Sequence, residues 1–225
     1  MQEKATIAQQ KKEFQSMLST FSHEIRNPLA LITSELQMLS DTQPQLCLDE
    51  HWDNIMENLG YIRELLDELS RYQNAGHISP VQTDLSLCLD RITGSFRPAL
   101  DYLGISFETE IPRDLPQISL DPVKLRQALF NLLRNAQEAI LHTHGKILFV
   151  ASAVPDGIRL TVSDNGCGMT AGQIENIFRP FVTYKPGGTG LGLAVTRQII
   201  EAHQGTLQVE SIPEKGTTFY IFLPG

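Results

Sequence analysis

The sequence predicts an α+β chain in two parts, an N-terminal helical hairpin followed by a mixed α/β sandwich. Three observations carry this reading. Apolar residues step by threes and fours as far as Gly76, and beyond Val81 the texture changes to short strand-like runs punctuated by glycine and proline. An apolar share of 41% in 225 residues is also enough for a core.

Over residues 4–41, Phe14, Leu18, Phe21, Ile25, Leu29, Ile32, Leu36 and Leu39 trace one narrow seam of a long helix. After a break at Asp41-Thr-Gln-Pro44, the residues Leu48, Trp52, Ile55, Leu59, Ile62, Leu66 and Leu69 repeat the stepping, so a second helix folds back antiparallel. This hairpin, residues 1–76, cannot cover both seams alone. Pairing with a second copy into a four-helix bundle is the economical solution, and packing on the chain's own second domain is the alternative.

The second domain spans residues 81–225. A helix over 85–103 and a strand over 105–111 precede a helix over 121–141, where Asp121 caps and Pro122 takes the first helical position. Strands over 146–154 and 158–163 flank the turn Pro155-Asp-Gly157. A glycine-rich stretch over 164–192 leads into a helix ending near His203, and strands over 206–211 and 217–223 surround Pro213-Glu-Lys-Gly216. Such an order suggests a mixed sheet covered by helices on one face.

Charge narrows the function classes. Acidic residues outnumber basic ones 26 to 18, for a net charge of −8, which argues against nucleic-acid binding. Cys47, Cys88 and Cys167 are too widely spaced for a metal or disulfide framework and read as reduced thiols. The N-terminus is hydrophilic and no apolar run reaches 18 residues, so neither a signal peptide nor a membrane segment is expected in this chain. The expected location is the cytoplasm, for a free protein or for the cytoplasmic part of a longer or membrane-linked one. Only 22 residues precede His23, too few for a sensor domain.

His23 carries the first chemical signal. At 100° per residue it lies about 180° from Ile32, on a face shared with Ser16, Ser19, Asn27, Ala30 and Ser34, where a large partner has room to approach. A solvent-facing histidine is ordinarily just solvated. Pro28, one turn on, removes a helical hydrogen bond at a cost of about 3 kcal/mol, and strain beside an exposed imidazole suggests use. His23 can be a nucleophile if one ring nitrogen is free and the other gives its proton to a carboxylate, for which Glu24 is adjacent.

Further on, Asn131 and Asn135 share one helix face; alone, they also fit a satisfied buried pair. Asp164-Asn-Gly-Cys-Gly168 follows a strand, where it is equally a plausible turn. Gly187-Gly-Thr-Gly-Leu-Gly192 opens a helix whose free amides suit phosphate. Neither a P-loop nor a Rossmann glycine pattern is present.

The segment His23-Glu-Ile-Arg-Asn-Pro28 resembles the phospho-accepting box of two-component sensor histidine kinases. The asparagine helix, Asp164-Asn-Gly-Cys-Gly168, Phe178-Arg-Pro-Phe181, Gly188-Thr-Gly-Leu-Gly192 and Gly216-Thr-Thr-Phe219 resemble, in order, the ATP-binding domain of that family, related to those of gyrase and MutL. The resemblance implies autophosphorylation of His23 from ATP and transfer to an aspartate of a response regulator receiver domain, in a homodimer. The alternatives are a non-catalytic histidine phosphotransfer or docking module whose ATP domain has decayed, against which Asn135, Asp164 and Gly190 speak, and a serine kinase or ATPase of the same nucleotide fold, against which the histidine box speaks. Asn135 would be the Mg2+ ligand, with Asn131 beside the phosphates. Asp164 would accept the exocyclic amine of adenine, and Gly166 and Gly168 would let the base approach. Residues 169–188 would form a mobile lid anchored by Phe178 and Phe181. Lys185 and Thr189 would lie near the phosphates, and Gly190 and Gly192 would begin the helix that holds the phosphate chain.

In hydrolytic relatives a water-activating glutamate stands one turn before the magnesium asparagine; here that residue is Asn131. The box also implies that Asn27, about 40° around the helix from His23, orients water for receiver dephosphorylation, while Glu24 polarises His23. The alternative for Asn27 is a purely structural role before Pro28. Two departures stand out: Glu138 where many relatives carry a basic residue, and Arg179 where the lid often has an acid.

Overall fold

Three- and four-residue stepping closes into one long helix, α1 (Gln2–Thr42), in the computed structural model. The structure describes the backbone of residues 2–141, 143–185 and 187–225; the side chains of residues 1–17 and 19, with Phe14, Ser16 and Ser19 among them, lie outside the described residues. Helix α1 runs through Pro28, which lacks an N–H and so leaves the Glu24 carbonyl without its usual intrahelical donor. A short 3-10 turn (Pro44–Leu48) follows, then α2 (Glu50–Gln73). The expected start of the second helix at Leu48 is corrected by its cap. Asp49 accepts from the His51 N–H at 2.9 Å, and Leu48, 87% exposed, belongs to no seam.

The seam proves to be two adjacent stripes. Ser22 and Leu29 on α1 and Leu66 on α2 are buried within residues 1–74, whereas Phe21, Ile32, Leu39, Ile55 and Ile62 are exposed. The fully buried Ser22 is tolerated because its hydroxyl donates to the Leu18 carbonyl at 2.8 Å. Arg26 joins the helices: its guanidinium donates to the Leu66 carbonyl (3.3 Å), Asp67 Oδ1 (3.2 Å) and Ser70 Oγ (3.0 Å). At partial exposure such a pair contributes at most about 1 kcal/mol, so its value is in fixing which turns of α1 and α2 stand opposite each other.

Residues 75–225 form the second unit. Its elements are β1 (Val81–Thr83), α3 (Leu85–Tyr102), β2 (Ser106–Glu110), β3 (Ile118–Leu120), α4 (Pro122–Ala139), β4 (Lys146–Val154), β5 (Gly157–Asp164), α5 (Ala171–Ile174), α6 (Gly192–Ala202), β6 (Thr206–Ile212) and β7 (Gly216–Pro224). Five strands pair in the order β2-β4-β5-β7-β6, with β2 parallel to β4 and the remaining pairs antiparallel. Alternation places Ile147, Phe149 and Ala151 of β4, Ile158, Leu160 and Val162 of β5, and Phe219, Ile221 and Leu223 of β7 in the core, where α3, α4 and α6 supply Leu89, Leu129, Leu132 and Ile199. The three-residue strands β1 and β3, which pair with each other, and the one-turn helix α5 were not expected; none is long enough for a periodicity to show.

Caps knit this unit together. Asp121 accepts from the N–H groups of Val123, Lys124 and Ser79 at 3.0, 3.0 and 2.8 Å. Its own N–H donates to His203 Nε2 at 2.9 Å, so the imidazole donates from Nδ1 to the Ile199 carbonyl at 2.8 Å. The start of α4 is thereby tied to the end of α6.

Gly216 adopts φ 113°, and a Cβ there would overlap the Asp164 carbonyl oxygen. Gly216→Ala should therefore destabilise the unit by roughly 1–3 kcal/mol, read as a lower urea midpoint at unchanged slope.

Candidate functional site

Asn131 and Asn135 stand one turn apart on α4. Asn131 Nδ2 donates to the Gly192 carbonyl at 3.0 Å and lies 3.4 Å from Thr196 Oγ1, so this side chain pins the first turn of α6. One turn on, Asn135 Oδ1 accepts from Lys185 Nζ at 3.4 Å. The same ammonium lies 2.7 Å from Glu138 Oε2, while Glu138 Oε1 accepts from Arg134 Nε at 2.8 Å. Burial alone would raise the pKa of Glu138, but Lys185 and Arg134 outweigh it and hold the carboxyl below its ordinary range.

Asp164 ends β5. Counting by twos from Ile158 puts it on the core side of the strand, a carboxylate at a position otherwise occupied by apolar residues, and it is only 8% exposed. Its Oδ1 accepts from the Gly166 N–H at 2.8 Å and the Thr217 N–H at 3.3 Å. Burial nevertheless prevails over these donors and over Lys185, and pushes the carboxyl pKa up. Asp164 thus combines a buried anion with a backbone that holds it in place.

The glycines answer to the protein's own backbone as well as to any ligand. A Cβ at Gly166 would press on the Ala139 carbonyl, and Gly168, at φ 64°, would meet the Ile212 carbonyl. Gly190, at φ 70°, turns the chain tightly against Phe181 and Val182, and its carbonyl accepts from the Phe181 N–H at 3.1 Å. At Gly192, the first residue of α6, a Cβ would find only the Asn131 amide at ordinary contact distance, 3.8 Å. Thr189 Oγ1 accepts from the Leu191 N–H at 3.3 Å.

Between Asp164 and α6 the chain forms α5, with Thr170 and Gln173 bonding reciprocally as a capping box. Phe178 lies under the Arg197 guanidinium, 5.7 Å from ring centre to Cζ, whereas Phe181 takes φ 64° and is 53% exposed. Cys167 is exposed.

The hairpin holds the other candidate residues. His23, Glu24 and Asn27 are all exposed on α1, as are Ala30 and Ser34, so the side chains around the imidazole are small or polar. Sequence reasoning did not assign a role to Arg26, although its place three residues after His23 and on the partner-facing side of the helix was a signal. It also did not foresee that Glu138 would hold Lys185; an acid one turn after Asn135 was noted only as a departure.

One unit thus carries a buried carboxylate at a strand end, two amides on α4 and a glycine turn opening α6, and the other carries an exposed histidine on a helical hairpin. Residues 15–77 match the His Kinase A (phospho-acceptor) domain, and residues 120–225 match the histidine kinase-, DNA gyrase B-, and HSP90-like ATPase domain. The chain belongs to the sensor histidine kinase family, of which it carries a catalytic core.

Among curated relatives, it is 32% identical to the signal transduction histidine-protein kinase AtoS of Escherichia coli (strain K12), covering 92% of this chain and 34% of the relative. To the sensory histidine kinase/phosphatase NtrB of Vibrio alginolyticus it is 31% identical, over 90% of this chain and 60% of that protein. The chain spans a third to a half of the length of the first curated relatives it matches. Full-length ShkA in complex with AMPPNP superposes with a TM-score of 0.77 at 26% identity, covering 93% of this chain and 46% of that one. The catalytic domain of histidine kinase ThkA gives 0.59 at 30% identity, covering 65% and 95%. ThkA in complex with the response regulator protein TrrA gives 0.65 at 25% identity, covering 93% and 61%. No described helix is long and apolar enough to cross a membrane.

Proposed function

We propose that this chain binds ATP in the unit of residues 75–225, transfers the γ-phosphoryl group to His23, and passes it to an aspartate of a response regulator receiver domain. The observation that carries this reading is the state of Asn131. Its amide is committed to the α6 backbone, and it offers no base to water at the position where a hydrolase needs one. A bound γ-phosphoryl group therefore survives until the imidazole arrives, and transfer proceeds by positioning and charge neutralisation.

Asp164 accepts the exocyclic amine of adenine, a preference a guanine cannot satisfy. Asn135 offers a hard amide oxygen of the kind Mg2+ takes, and a cation, Lys185 Nζ, already stands at that oxygen, so the residues present fit the metal. When bound, the ion neutralises charge on the transferring phosphate. His23 attacks the γ-phosphorus through its free ring nitrogen; the N–P bond forms, the bridging P–O bond breaks, and ADP leaves. Glu24 takes the proton from the other nitrogen and fixes the tautomer. Asn27 orients water toward the receiver's phosphoaspartate in the reverse, phosphatase, direction.

The exposed stripe Phe21, Ile32, Leu39, Ile55 and Ile62 pairs with its copy to make a homodimeric four-helix bundle. Ile32→Glu with Ile62→Glu should yield monomers by light scattering while each hairpin stays helical. Leu66 is unsuitable for this purpose because it is buried inside the single hairpin. The function itself is tested by incubation with γ-labelled ATP and magnesium: label lost in acid and kept in alkali marks phosphohistidine, and label stable to acid would overturn the assignment.

A further inference from the structure

Lys185, in the loop between α5 and α6, is held by an acid on α4, the helix that carries Asn135. Lys185 Nζ lies 2.7 Å from Glu138 Oε2 and 3.4 Å from Asn135 Oδ1, with Arg134 Nε at 2.8 Å holding the other oxygen of Glu138. Asn135 and Glu138 are three residues apart on α4, so both face the same side, and one ammonium reaches both. Lys185 itself sits in the loop between α5 and α6, 50 residues from Asn135 in sequence, so nothing local brings the two together.

We propose that Glu138 is a positioning residue that stations Lys185 at the metal-binding amide before nucleotide arrives, so that the lid closes on the empty site and Mg·ATP must displace the lysine to bind. The proposal rests on the reading that nucleotide and metal occupy Asn135. A positive charge within hydrogen-bond distance of that amide and a divalent cation cannot share the oxygen, because like charges a few ångströms apart repel strongly in a partly desolvated site. Displacement also has a use. With Asn135 holding Mg2+, Lys185 would leave the amide and would be free to pair with the phosphates of the nucleotide, so the same side chain would serve the empty and the loaded site. A basic residue at position 138 would repel Lys185 and could not perform the first of these tasks. The depressed pKa of Glu138 is consistent with a carboxylate that stays charged across the physiological range and so keeps its hold on Lys185.

The pair is partly exposed, at 42% and 36% for the two side chains, which limits its strength and makes it breakable by a ligand. Amide hydrogen exchange over residues 178–190 of the nucleotide-free chain reads the latch with no requirement for kinase activity. Glu138→Gln and Lys185→Gln should each speed exchange there by about two- to fivefold, the double variant should be no faster than either single one, and the effect should fade in about 0.5 M salt. In calorimetry with a non-hydrolysable ATP analogue and magnesium, Glu138→Gln should bind tighter. Exchange in Glu138→Gln equal to that of the parent chain overturns the latch, even if its nucleotide affinity rises, because removal of a negative charge beside phosphates accounts for the affinity alone. Phosphohistidine assays remain separate, so a failed latch leaves the kinase reading standing and a failed kinase reading shows in those assays alone.

Discussion

His23→Gln should reduce self-labelling from ATP to background while nucleotide affinity stays that of the parent chain. Glutamine keeps a polar, helix-compatible side chain at an exposed position, so the cost in stability is small. It has no nitrogen lone pair able to attack phosphorus, because its amide nitrogen is delocalised into the carbonyl. His23 belongs to the unit of residues 1–74, and Asp164 and Asn135 belong to that of residues 75–225, so the two proposed functions are assigned to different units. Calorimetry with an ATP analogue beside the labelling assay checks both halves. Loss of affinity in His23→Gln would show that the hairpin and the pocket do not divide the work as proposed.

The second large effect belongs to Asp164 and Asn135. Asp164, itself only 8% exposed, is the proposed acceptor for the adenine amine, and in Asp164→Ala an unsatisfied donor there should cost about 1–3 kcal/mol, or roughly five- to 150-fold in affinity. The same change strips the Gly166 and Thr217 N–H groups of their partner, so part of the loss would be structural. Asp164→Asn separates the two. Its amide oxygen still accepts from the backbone, while the charge is gone, and thermal melting shows whether the fold survives. Acidification reports on the same group: burial raises the carboxyl pKa, so the ionised acceptor is lost at a higher pH than an ordinary aspartate's value of about 3.9, and affinity should fall as pH is lowered through that raised value. Asn135→Ala should abolish labelling with the fold intact, since it removes a hard oxygen donor without opening the core. Parent-level labelling by Asn135→Ala would remove this residue from the site.

Much of the architecture was legible along the chain. Helical stepping through Leu29 and Leu66, the Asp121-Pro122 start of α4, the Pro155-Asp-Gly157 turn and the strand runs around it are all local signals, with their cause inside a window of a few residues. The family was legible too, because the histidine box, the asparagine helix and the glycine motifs keep an order that survives in the linear chain. What stayed hidden was short or distant. Strands β1 and β3 have three residues each and exist only because Val81 pairs with Leu120, 39 positions away.

By itself the sequence determined which residues could do chemistry and which face of each element is apolar, because both follow from side-chain type and a fixed period. Only the tertiary structure decided how the seam divides between Leu29, buried in the hairpin, and Ile32, left exposed, since a stripe's width says nothing of how much a single partner helix covers. It also decided that Asn131 is spent on the α6 backbone, that Arg26 bridges to Asp67 and Ser70, and that Lys185 stands between Glu138 and Asn135. Each of these is a contact across 40 or more positions of chain, set by the packing of whole helices and loops, and no local preference encodes it.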